Sequence, residues 1–112
     1  MKRIDLKTKT NNHFIGNWQI DNDKLMDSMV DFFESNPKGH EIGVSGHGDV
    51  DKEAKESIDL TILPKDLKNK NLEIFNDYFR LLQECYWDYI NQWSFLKEKW
   101  GEMYIGPFNI QK

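Results

Sequence analysis

Hydrophobic positions recur in this chain with two different periods. In residues 21–34, Leu25, Met26, Met29, Val30, Phe32 and Phe33 fall on one side at 3.6 residues per turn, opposite Asp27, Asp31 and Glu34, which predicts an amphipathic helix. Asp21-Asn22-Asp23 supplies carboxylate and amide oxygens for the free N–H groups of its first turn. With Asp21 as the N-cap, Ile20 and Leu25 would form a hydrophobic staple. Asn36-Pro37-Lys38-Gly39 ends the helix, since the residue before proline disfavours the helical region and glycine tolerates the exit. Residues 57–63 change to a period of two, with Ile58, Leu60 and Ile62 alternating against Ser57, Asp59 and Thr61 before Pro64. This pattern predicts a half-buried strand. A longer helix is expected over residues 71–93, where Ile74, Phe75, Tyr78, Phe79, Leu82, Cys85, Tyr86, Tyr89 and Trp93 cover about half the circumference. Residues 103–111 read as extended and are interrupted by Gly106-Pro107. Phe14, Ile15 and Trp18 form a shorter strand-like patch.

These patterns predict an α+β domain, two main helices packed on a small, mostly antiparallel sheet. The sheet is expected to hold residues 57–63 and 103–111 and to extend to residues 14–18. Residues 1–12 read as a flexible arm and 13–112 as a single small domain. Leu60, Ile62, Phe75, Phe79 and Leu82 are the expected core. With 112 residues, 38% hydrophobic, and 4 Trp, 4 Tyr and 7 Phe, the chain is too aromatic for disorder. A net charge of −4 argues against a surface that neutralises nucleic-acid phosphates. The polar start and the lack of a run near 18 apolar residues leave no membrane segment to expect. The one cysteine, Cys85, has no internal disulfide partner, which fits a reducing, cytoplasmic location.

Residues 39–56 read as a long polar loop carrying Gly43, Gly46 and Gly48 among charged residues and two histidines, His40 and His47. His47-Gly48-Asp49 has the His-x-Asp form of two ligands of a facial iron triad. The third ligand is normally a later histidine, and of His13, His40 and His47 none follows the motif. His40 and His47 with Glu41 or Asp49 are weak zinc candidates on flexible glycine spacing. Residues 43–48 lack the Gly-Lys-Ser/Thr ending of a phosphate loop. Ser45, His47 and Asp49 hold triad residue types without triad geometry. The loop therefore reads as solvated, Cys85 as a small buried hydrophobe, and Trp87, Trp93 and Trp100 as core or interface.

Three stretches in order resemble the amino-terminal region of prolyl-hydroxylase-like, Fe(II)- and 2-oxoglutarate-dependent oxygenases of the marine phage and bacterial type. They are Asn17-Trp18 with the helix ending in Phe32-Phe33-Glu34, then Lys55-Glu56-Ser57-Ile58-Asp59-Leu60, then Gly106-Pro107-Phe108-Asn109-Ile110-Gln111-Lys112. In that family the last strand leads into the catalytic barrel, where the His-x-Asp/Glu pair, the distal histidine and the 2-oxoglutarate-binding residue lie beyond the counterpart of Lys112. The resemblance thus carries over no catalytic, cofactor-binding or metal residue and no cofactor. It implies a catalytically incomplete fragment, the helical support layer without the barrel. The alternative is a stand-alone α+β interaction module, with an enzyme acting through the histidine loop a distant third. The expected partner is a second copy or another protein, meeting the edge at 103–111 with Trp93, Phe95 and Trp100 as the anchor.

Overall fold

The computed structural model describes residues 1–10, 13–99 and 102–112. It is an α+β fold in which helices α1 (Asp23–Glu34) and α2 (Glu73–Gln92) cover one face of a three-stranded antiparallel sheet. A separate pair of two-residue strands, β1 (Lys2–Arg3) and β2 (Trp18–Gln19), lies apart from that sheet. The main sheet has the order β3-β4-β5, with β3 at His40–Ile42, β4 at Ile58–Ile62 and β5 at Phe108–Gln111. Its register sets His40 opposite Leu60 on one side of β4, and Ile110 opposite Leu60 on the other.

The N-cap of α1 is Asn22, not Asp21, and its Oδ1 accepts from the Leu25 N–H at 3.2 Å. That one-residue shift removes Ile20 and Leu25 from staple positions. The helix buries Leu25 and Phe33, while Val30 stays exposed. A 3₁₀ turn at Lys70–Leu72 precedes α2 and accounts for its later start.

The main core gathers Phe33, Leu60, Ile62, Leu72 and Phe75, with Phe108 and Ile110 of β5 packed against them. Phe75 is fully enclosed, its ring edge-on to Phe32 at 5.1 Å and 5.7 Å from Phe108. Leu60, Ile62 and Phe75 are buried as the alternation and periodicity require, and Phe79 is half-buried against Phe108. Leu82 is 38% exposed, contrary to expectation, because it faces a groove beside the 102–108 segment instead of the sheet. Ile90 takes a buried place that the periodicity had not assigned to it. It packs with Trp93 and with Leu96 of a short third helix, α3 (Phe95–Lys99).

Two further expectations need correction. Residues 14–18 do not join the main sheet; Trp18 pairs instead with Arg3 of the segment read as a loose arm. Phe14 has φ of +53°, a left-handed conformation that a bulky side chain adopts only under restraint. The Tyr89 hydroxyl donates to the Phe14 carbonyl at 2.8 Å, and the Phe14 ring lies against Trp93 and Phe95. The extended part of 103–111 is likewise only β5, since Pro107 has no N–H to donate.

A Phe75→Ala variant should lose about 3–5 kcal/mol of stability in denaturant unfolding, through lost burial and a residual cavity. Leu82→Ala should stay within about 0.5 kcal/mol of the parent, as surface substitutions do.

Candidate functional site

The glycine loop runs from Gly43 to the start of β4, shorter than expected because His40–Ile42 forms β3. At its centre the Gly48 N–H donates to the Ser45 carbonyl at 2.9 Å and the Ser45 N–H to the Asp49 carbonyl at 2.8 Å. Gly48 supplies the positive φ, +84°, that this tight turn needs. His47 and Asp49 are exposed on it, and no side-chain hydrogen bond joins Ser45, His47 and Asp49. His40 instead stacks on Phe33 with 4.2 Å between centroids, its Nε2 2.8 Å from the Phe33 carbonyl. His13 lies edge-on to Trp93 at 5.8 Å. The three histidines are therefore spread over three parts of the molecule. Among the described residues no three His, Cys, Asp or Glu side chains gather as a metal site.

The structure does bring Ser57 and Asp59, which the alternation put on the polar side of the strand, together with Lys55, Asn109 and Gln111. Lys55, Ser57 and Asp59 stand at i, i+2 and i+4 of an extended segment, which puts them on one face. Asn109 and Gln111 occupy the same face of β5, because Gln111 pairs with Asp59 and Asn109 with Thr61. Asp59 is 7% exposed, and its two oxygens take every donor nearby. Oδ1 accepts from the Ser57 hydroxyl at 2.7 Å. Oδ2 accepts from Lys55 Nζ at 3.0 Å, Gln111 Nε2 at 3.1 Å and, more weakly, Asn109 Nδ2 at 3.4 Å. The Thr61 hydroxyl donates to Asn109 Oδ1 at 2.9 Å and orients that amide.

Gly43 closes over this cluster. A Cβ there would sit 2.0 Å from Ser57 Oγ and 3.0 Å from Asp59 Oδ1, so any side chain would break the Ser57–Asp59 bond. Hydrogen bonding from Ser57, reinforced by the Lys55 ammonium and Gln111, outweighs desolvation and holds the Asp59 carboxyl below the ordinary carboxylate range. Chemically this is a clasp: its oxygens are occupied by protein donors, and it ties the loop's two ends to β5. The signal for it lay in the sequence as two polar series of period two, Lys55-x-Ser57-x-Asp59 and Asn109-x-Gln111. Their pairing becomes visible only in the register.

Cys85 is buried, and burial, with the neighbouring Glu84 carboxylate, pushes its thiol pKa up. The protonated Sγ donates to Met1 Sδ at 3.1 Å, so Cys85 is packing rather than nucleophile. Trp93 is buried in the monomer and cannot anchor a partner. Trp87 is exposed beside the groove of about 1020 Å3 that α2 forms with residues 102–108, where Ile105 and Tyr104 are also exposed. Trp100 lies outside the described residues.

Asp59→Asn should lower stability at neutral pH. The difference from the parent should shrink in acid, because a carboxyl with a depressed folded pKa contributes above its unfolded value, 3.8, and loses that contribution as pH falls through the folded value. Thermal unfolding of both proteins between pH 7 and pH 2.5 reads this directly. Gly43→Ala should destabilise comparably at pH 7, and adding Asp59→Asn should cost little more, since both act on one cluster. Scans of this chain against family models, curated proteins and solved structures matched none of them.

Proposed function

We propose that this chain is the helical support layer of a prolyl-hydroxylase-like Fe(II)/2-oxoglutarate oxygenase, a fragment that is catalytically incomplete in itself. One observation carries the reading. The two sheet stretches that resemble the family, Lys55 to Leu60 and Phe108 to Lys112, are antiparallel neighbours backed on one face by α1 and α2. Their other face carries the hydrogen-bonded polar cluster of Lys55, Ser57, Asp59, Asn109 and Gln111. A sheet backed on one side by helices is the kind of layer from which a catalytic barrel would extend. The third resembling element, α1 with Phe32-Phe33-Glu34, contributes Phe33 to that backing, and Glu34 pairs with Lys112.

A second reading, a protein-interaction module, is favoured by the α2 groove with Trp87 and Ile105 exposed along it. Either reading suits a cytoplasmic protein, given a single buried cysteine held as the thiol. No helix among the described residues is long and apolar enough to cross a membrane.

On the support-layer reading, anaerobic calorimetry of the 112-residue chain should show no saturable binding of Fe(II) together with 2-oxoglutarate near micromolar concentration. His47 and Asp49 stand alone on an exposed turn. Micromolar binding abolished by His47→Ala would instead assign iron chemistry to the glycine loop. A reading frame that runs on from Lys112 to a His-x-Asp or His-x-Glu pair is the genomic outcome expected of this function and not of an interaction module.

A further inference from the structure

The main sheet ends in two different edges. On β4, Ile58 exchanges both backbone hydrogen bonds with Lys112, at 2.9 and 3.0 Å. Antiparallel alternation then makes Leu60–Ile110 and Ile62–Phe108 the next bonded pairs. The N–H and C=O groups of Asn109 and Gln111 therefore point away from β4, and no backbone or side-chain partner meets them among the described residues.

Edge strands are usually protected by charge, proline, a bulge or brevity. Within β5, Phe108-Asn109-Ile110-Gln111, there is no charged residue, no proline and regular pairing throughout; Pro107 and Lys112 flank it. The opposite edge, β3, is three residues long and carries Glu41, and its His40 N–H is already bonded to the Pro37 carbonyl. The less protected edge is β5.

We propose that two copies of the 112-residue chain pair antiparallel through β5, joining two three-stranded sheets into one of six strands. The edge is complementary to itself. With Ile110 of each copy facing the other across the dyad, Asn109 of one copy stands opposite Gln111 of its partner. Each such pair exchanges two backbone hydrogen bonds, four in all. The side chains agree with this register. Asn109 and Gln111 are on the polar face, where the Gln111 Oε1 has no partner and the Asn109 amide, weakly engaged at 3.4 Å by Asp59, can donate to it. The two Ile110 side chains meet on the helix-covered face, where a non-hydrogen-bonded pair brings side chains closest. No like charges confront each other within the strand. This inference goes beyond the oxygenase reading and does not depend on it, because it uses only the edge of the chain in hand.

The test is size exclusion with light scattering at about 100 μM, a concentration at which an interface of ordinary size is occupied. The expected mass is twice the 13.4 kDa of one chain; a monomer overturns the proposal. Asn109→Lys with Gln111→Lys sets lysines opposite each other across the dyad and should give a folded monomer. A dimer that persists in this variant would place the interface elsewhere and also overturns the proposal. Because these substitutions touch the Asp59 clasp and can cost folding, amide hydrogen exchange of the unaltered protein supplies the second measurement. Asn109 and Gln111 amides should be protected at about 100 μM and exchange freely on dilution to a monomer, while the Ile110 amide, bonded to Leu60, stays protected in both. Free exchange at Asn109 and Gln111 in the concentrated sample refutes pairing through β5. Calorimetric failure of the oxygenase reading would leave all three results unchanged.

Discussion

β4 is the central strand of the main sheet, and its two faces make opposite demands. Leu60 and Ile62 must leave water, and they do so against Phe33, Leu72 and Phe75. Asp59, one residue away and pointing the other way, is also largely withdrawn from water, which a carboxylate tolerates only with its hydrogen bonds replaced. Five side chains and one glycine are arranged to meet that condition. Register between β4 and β5 satisfies both faces at once: the pairing that stacks Phe108 and Ile110 on the helices delivers Asn109 and Gln111 to Asp59. A slip of one residue would put the amides into the core and the aromatic ring over the carboxylate.

The second half of α2 serves another purpose. Ile90 of the helix, Trp93 just after it and Leu96 form a smaller core of their own. The amino-terminal segment closes that core. Trp18 Nε1 donates to Asp88 at 2.7 Å, Arg3 pairs with the same carboxylate, and Phe14 is held in its left-handed conformation by Tyr89. The groove beside residues 102–108 is the consequence of one helix serving two cores, since Leu82 and Trp87 fall between them.

The polar clasp and the glycine loop are parts of one construction. Lys55 and Ser57 end the loop, Gly43 begins it, and all three converge on Asp59, so the loop closes on itself whatever its tip does. The His47-Gly48-Asp49 turn is at that tip, remote from the buried carboxylate and held only by backbone bonds.

Local pattern determined a good deal here. The period of 3.6 in α1 and α2, the period of two in β4, and the stops at Pro37 and Pro64 sufficed for the two main helices, the central strand and the α+β class, because each depends on neighbours a few residues away. What depends on distant residues was decided by the tertiary structure. Ile58 has the same pattern as Leu60 but is exposed, outside the core that Leu60 and Ile62 share with Phe33, Leu72 and Phe75. Asp59 has the pattern of a solvent residue but is buried, because Lys55, Ser57 and the amides of β5 supply its donors and Gly43 leaves room for them. β3 hides in a sequence of loop composition, since three residues gain their strand character from pairing with β4 alone. Periodicity tells which residues share a face; only the assembled sheet decides what that face meets.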